Sequence, residues 1–64
     1  MPLTESELRT LRLLTDEWQG AFTKGARRNL STLVSQGYAE RTAGWPIKYR
    51  LTDAGRARLA EEES

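Results

Sequence analysis

Cysteine and histidine are both absent from this chain, which removes the usual means of stapling a short polypeptide. No disulfide framework can form, and the common zinc-ligand spacings have no residues to fill them. Catalysis loses its main tools as well: there is no thiol nucleophile, no imidazole base and no glycine-rich phosphate loop, and the carboxylates lie mostly toward the ends. The chain is therefore read as a non-enzyme with no metal and no small-molecule cofactor. No stretch approaches the roughly 20 apolar residues that cross a bilayer. The opening Met1-Pro2-Leu3-Thr4-Glu5 has neither a basic start nor an apolar run. No membrane partner is expected, and a cytoplasmic setting is. At 64 residues the chain has room for one core only, since a domain of this size buries only about 60% of the surface its unfolded form exposes. Residues 1–64 are read as a single domain held by packing alone.

What the chain does have is a segregated charge. The net +1 divides into −2 over residues 1–17, +6 over 18–58 and −3 over 59–64. The central excess comes from Lys24, Arg27, Arg28, Arg41, Lys48, Arg50, Arg56 and Arg58, opposed only by Glu40 and Asp53. A basic centre between acidic ends points to a polyanionic partner more strongly than the overall balance does.

Local signals divide the chain into elements. Thr4-Glu5-Ser6-Glu7 reads as a capping box that opens a helix. Leu8, Leu11 and Leu14 recur at helical spacing, with Trp18 one turn further along the same side. Trp18 and Phe22 are expected in the core. Thr15-Asp16 either caps a short helix toward Gly20 or continues the first one. Thr23 is the next N-cap, followed by Ala26, Leu30, Leu33 and Val34 at i, i+4, i+7 and i+8, an amphipathic helix over 24–36. At about 100° per residue its other side carries Lys24, Arg28, Ser31, Thr32 and Ser35, with Arg27 and Asn29 on the flanks and no acid. Gly37 supplies the left-handed stop.

Tyr38–Thr42 and Ile47–Leu51 read as two strands joined by Ala43-Gly44-Trp45-Pro46. Pro46 has no NH to close a two-residue turn, so a four-residue loop pairing Thr42 with Ile47 is expected. That register sets Tyr38 opposite Leu51 and Glu40 opposite Tyr49 on one face, with Arg41 opposite Lys48 and Ala39 opposite Arg50 on a basic face. Glu40 is then the exception on its face and is expected to pair with an Arg of a neighbouring helix. Thr52 caps a last helix from Asp53 to about Glu62, with a thin apolar side and a fraying end over 61–64.

The order helix, short helix or turn, amphipathic helix, hairpin, helix resembles the winged helix-turn-helix family, in particular regulators of the multiple-antibiotic-resistance (MarR) type. Leu30-Ser31-Thr32-Leu33-Val34-Ser35-Gln36-Gly37-Tyr38-Ala39-Glu40-Arg41 is similar to that family's recognition-helix end, glycine stop and entry into the wing. Tyr49-Arg50-Leu51-Thr52-Asp53-Ala54-Gly55 is similar to its exit from the wing. The resemblance implies an α+β, mostly helical fold: three to four helices with a two-stranded β-hairpin wing. Only Asp16 to Phe22 is available for the helix that the family places before the recognition helix, so that helix is one or two turns or absent. Double-stranded DNA is the implied partner, beside a homodimer or a protein partner. Residues 24–36 would enter the major groove, and the wing over 38–51 would lie on an adjacent backbone or minor groove.

Arg28 and Ser31 are the expected base readers, Lys24, Arg27 and Thr32 make mixed contacts, and Arg41, Lys48 and Arg50 hold phosphates. Trp45, at the wing tip, either wedges into a groove or packs back on the domain, the second being the commoner behaviour of such a residue. Arg56 and Arg58 are expected in ordinary surface pairs. The alternative is a winged-helix adaptor that binds protein instead of DNA, because a fold does not fix a function.

Overall fold

A computed structural model describes residues 3–20 and 22–63. It is an α+β domain of three helices and a two-stranded antiparallel hairpin: α1 (Glu5–Leu13), α2 (Lys24–Ser35), β1 (Ala39–Arg41), β2 (Tyr49–Leu51) and α3 (Asp53–Glu63). None of the described helices is long and apolar enough to cross a membrane.

Both bonds of the capping box at α1 are made: the Glu7 NH donates to the Thr4 hydroxyl at 3.1 Å, and the Thr4 NH donates to the Glu7 carboxylate at 2.8 Å. The helix ends at Leu13, and Leu14 is already extended (φ −83°, ψ 147°). Leu11 and Leu14 are buried and Leu8 packs against them. Past that break helical spacing no longer governs, and Trp18 is not a core residue but 40% exposed. Phe22 does pack on the core.

No helix forms between Leu14 and Thr23 among the described residues. The segment runs instead along the outer edge of β2. Gln19 and Tyr49 exchange both backbone bonds, at 2.8 and 2.9 Å, and the Leu51 NH donates to the Thr15 carbonyl at 2.8 Å. Thr15 does act as a cap, but of a local turn: its hydroxyl accepts from the Glu17 NH at 3.2 Å, and its own NH donates to the Gln19 side chain at 2.9 Å. β2 is thus hydrogen-bonded on both sides.

α2 starts where Thr23 accepts from the Ala26 NH at 3.2 Å and buries Leu30 and Leu33 completely. It ends in a Schellman arrangement: the Gly37 NH donates to Val34 O at 3.1 Å and the Tyr38 NH to Leu33 O at 2.9 Å, with Gly37 at φ +83°. Asn29 ties α2 to α1. Its amide donates to the Ser6 and Thr10 hydroxyls at 2.9 and 3.0 Å.

The hairpin register differs from the expected one by a single residue: Ala39 opposes Leu51, Glu40 opposes Arg50 and Arg41 opposes Tyr49. The Tyr38 NH belongs to the helix stop, and pairing begins at Ala39. A five-residue loop, Ala43–Ile47, replaces the four-residue one. Its neck is the Thr42 hydroxyl, which accepts from the Lys48 NH at 3.0 Å and donates to the Pro46 carbonyl at 3.1 Å. A one-residue slip exchanges the faces of a strand. Ala39 and Tyr49 therefore turn inward, 3% and 8% exposed, while Glu40 and Arg50 share the outer face. Glu40 pairs with that cross-strand arginine, at 2.6 Å, and not with a helix.

Thr52 joins the hairpin to α3. Its hydroxyl accepts from the Gly55 NH at 3.0 Å and donates to Gly37 O at 2.6 Å, and its NH donates to Tyr38 O at 3.2 Å. α3 runs through Glu63, with Arg58 bonded to Glu62 and 3.8 Å from Glu61. The core comprises Leu3, Leu11, Leu14, Leu30, Leu33, Ala39 and Tyr49. Phe22 meets the Tyr49 ring edge-on with centroids 5.8 Å apart, a geometry that adds about 0.5–1.5 kcal/mol beyond burial.

Candidate nucleic-acid interface

Because the leucines of α2 point inward, the opposite side of the same helix must point out. Lys24, Arg27, Arg28 and Ser31 are all exposed. Thr32 is half-buried, and its hydroxyl turns back to the Arg28 carbonyl at 3.4 Å, so it offers less outward than its neighbours. Arg27, on the flank, lines a cleft with Phe22, Trp45, Ile47 and Tyr49, which brings the first turns of α2 beside the wing tip. Trp45 does not fold down on the domain; it is 86% exposed.

On the hairpin, Arg41 shares the Tyr49 side and is exposed, and Lys48 is exposed beside Gly20. Strand alternation sets Arg50 on the face opposite Arg41 and on the same side as Lys48, but Arg50 is bonded to Glu40 and its guanidinium sits 4.5 Å from the Trp18 ring centroid. That face bounds a polar cleft with Asp16, Asp53 and Arg56, in which acids and bases alternate. Among the described residues no group of three or more acids could hold a metal ion.

Pairing separates the cations into two sets. Arg50 is bonded to Glu40, Arg56 to Asp16, and Arg58 to Glu61 and Glu62, the last two as expected for α3. The hydrogen bond that Arg58 donates to Glu62, helped by the charges of Glu62, Tyr38 and Glu61 against some desolvation, raises the pKa of Arg58 above the usual arginine value. Among the described residues, Lys24, Arg27, Arg28, Arg41 and Lys48 have no ion pair. An unpaired guanidinium or ammonium keeps its full hydrogen-bonding capacity for an external anion.

One structural contributor was not visible in the sequence pattern: Asn29, a flanking polar residue by its spacing, is the bond between α1 and α2.

Comparison with known proteins finds no matching family model, and no curated protein or solved structure that matches. The architecture therefore rests on its own elements, three helices and one antiparallel hairpin.

Proposed function

We propose that this domain binds double-stranded DNA as a winged helix-turn-helix regulatory module, acting as a transcription regulator, a small phage or bacterial repressor, or an architectural factor. One observation carries the reading: the cations of α2 and of the hairpin at Arg41 and Lys48 are exposed and unpaired, whereas Arg50, Arg56 and Arg58 are neutralised by nearby acids. In this reading α2 lies in the major groove, with Arg28 and Ser31 toward base edges and Lys24 and Arg27 toward phosphate at the positive end of the helix. Arg41 and Lys48 hold an adjacent backbone. The helix that normally precedes a recognition helix is replaced by the strand-like segment 15–19, so α2 takes its orientation from its packing on α1, to which Asn29 binds it.

Titration of a duplex at several salt concentrations tests this. Each phosphate neutralised contributes about −0.9 to the slope of log K against log salt, so Lys24, Arg27, Arg41 and Lys48 on phosphates give a slope of about −4. An affinity indifferent to salt would refute the proposal. The adaptor reading draws on the exposed Trp45. It expects Trp45→Ala to abolish capture of a protein partner and Arg28→Ala to leave that capture intact.

A further inference from the structure

The cleft between α2 and the wing tip has a chemistry that duplex binding alone does not use. It measures about 90 Å³ and is lined by Phe22, Arg27, Trp45, Ile47 and Tyr49. Tyr49 is buried, Phe22 meets its ring edge-on, and Trp45 stands almost fully exposed. None of the lining residues is acidic, and Arg27 has no ion pair among the described residues. A matching occupant must offer a flat, weakly polar body to the aromatic rings and a negative charge to the guanidinium. A nucleotide offers both, through its base and its phosphate. Base-paired and stacked inside a duplex, however, it presents only an edge and must leave the stack to enter such a site.

Size narrows the choice. The cleft is smaller than the cavity of about 150 Å³ that accepts benzene, so a single ring seated part-way suits it and a fused purine does not. A peptide ending in an apolar residue would also supply a ring or chain and a carboxylate. Lys24 and Arg28 continue the positive charge from Arg27 along α2, which suits a chain of repeated phosphates better than one terminal carboxylate.

We infer that this cleft takes an unstacked pyrimidine of a DNA strand, with the flanking phosphate on Arg27, so that the domain favours a duplex with an extruded pyrimidine over a fully paired one. The inference rests on the DNA-binding reading above. Fluorescence-anisotropy titrations of the full chain with three otherwise identical duplexes test it: fully paired, with one bulged thymine, and with one bulged adenine. The bulged thymine is expected to bind roughly tenfold more tightly than the paired duplex, as one base–aromatic stack provides, and the bulged adenine within about threefold of it. In Trp45→Ala the thymine-to-paired ratio is expected to fall to about one, and thymidine monophosphate is expected to compete for the cleft in the parent chain.

Equal affinity for the bulged thymine and paired duplexes overturns the inference and leaves duplex binding standing. No binding to any of the three overturns both. A ratio that survives Trp45→Ala, or a preference for the bulged adenine, overturns the assignment to this cleft. So does competition by an apolar peptide with a free carboxylate where the nucleotide fails.

Discussion

Gly55 sits in the first turn of α3 with its Cα facing the exit of the helix stop. A methyl group built there would lie 2.1 Å from the Tyr38 carbonyl oxygen and 2.8 Å from Leu51 Cδ1, where ordinary contact begins at 3.4 Å. Gly55→Ala must therefore open the junction by more than an ångström. The obstacle is backbone, and that backbone is held by the Thr52 NH on Tyr38 O at 3.2 Å and the Thr52 hydroxyl on Gly37 O at 2.6 Å.

Losing those two bonds costs about 1 kcal/mol each. Residual overpacking adds about 1–3 kcal/mol, and the better helix propensity of alanine returns about 1 kcal/mol. The net loss is about 3 kcal/mol. In a domain of this size one kcal/mol moves the melting temperature by about 4–8 °C, so a fall of roughly 15 °C is expected. Gly25→Ala is the control: it lies in the first turn of α2 with nothing within 4 Å of the added carbon, and is expected to raise stability by up to about 1 kcal/mol. Thermal unfolding followed by helical circular dichroism reads both. If Gly55→Ala melts at or above the parent temperature, the close approach of α3 to residue 38 is not part of the fold.

Thr52→Ala removes the α3 cap and the bond to Gly37 together, and is expected to cost about 2 kcal/mol in urea unfolding, most of which Thr52→Ser restores. Asn29→Ala leaves the buried Thr10 hydroxyl without its α2 donor; a loss of about 1–2 kcal/mol in the same assay is expected, with the unfolding slope unchanged. In duplex binding, Lys24→Ala is expected to reduce the magnitude of the salt slope by about 1, whereas removal of Arg50, which is already bonded to Glu40, is expected to leave it within error. Equal effects of the two substitutions would contradict the separation of paired from unpaired cations.

Features written into neighbouring residues were legible in the sequence. The capping box at Thr4, the Thr23 cap, the Gly37 stop and the leucine stripe of α2 depend on spacings of one to eight residues, and all appear where the pattern puts them. The hairpin was found but set one residue off, because its register is fixed outside the strand pattern: the Thr52 NH bonds to Tyr38 O at one end, and Thr42 holds Lys48 across a five-residue loop at the other. The strand-like role of Thr15–Gln19 had no signal, since Asp16-Glu17-Trp18-Gln19 lacks β-branched residues and acquires its pairing only from β2. With it went the placement of Trp18, which lies against Arg50 instead of the leucines. For the candidate surface, exposure of α2 followed from its periodicity. Which arginines are neutralised did not, because Glu40, Asp16 and Glu62 find their partners by tertiary geometry or, for Glu62, by an i+4 contact in a stretch expected to fray.

The stitch between Gln19 and Tyr49 makes the domain mechanically coupled. From Gln19 the chain has only four residues to reach Thr23, a span of at most about 14 Å, and Thr23 is the cap from which Lys24 and Arg27 project. A tilt of the ribbon pulls this short leash, so strain at β2 is delivered to the start of α2. Helix α2 and the hairpin are thereby constrained to move as one lever, and a contact made at either end helps fix the angle of the other.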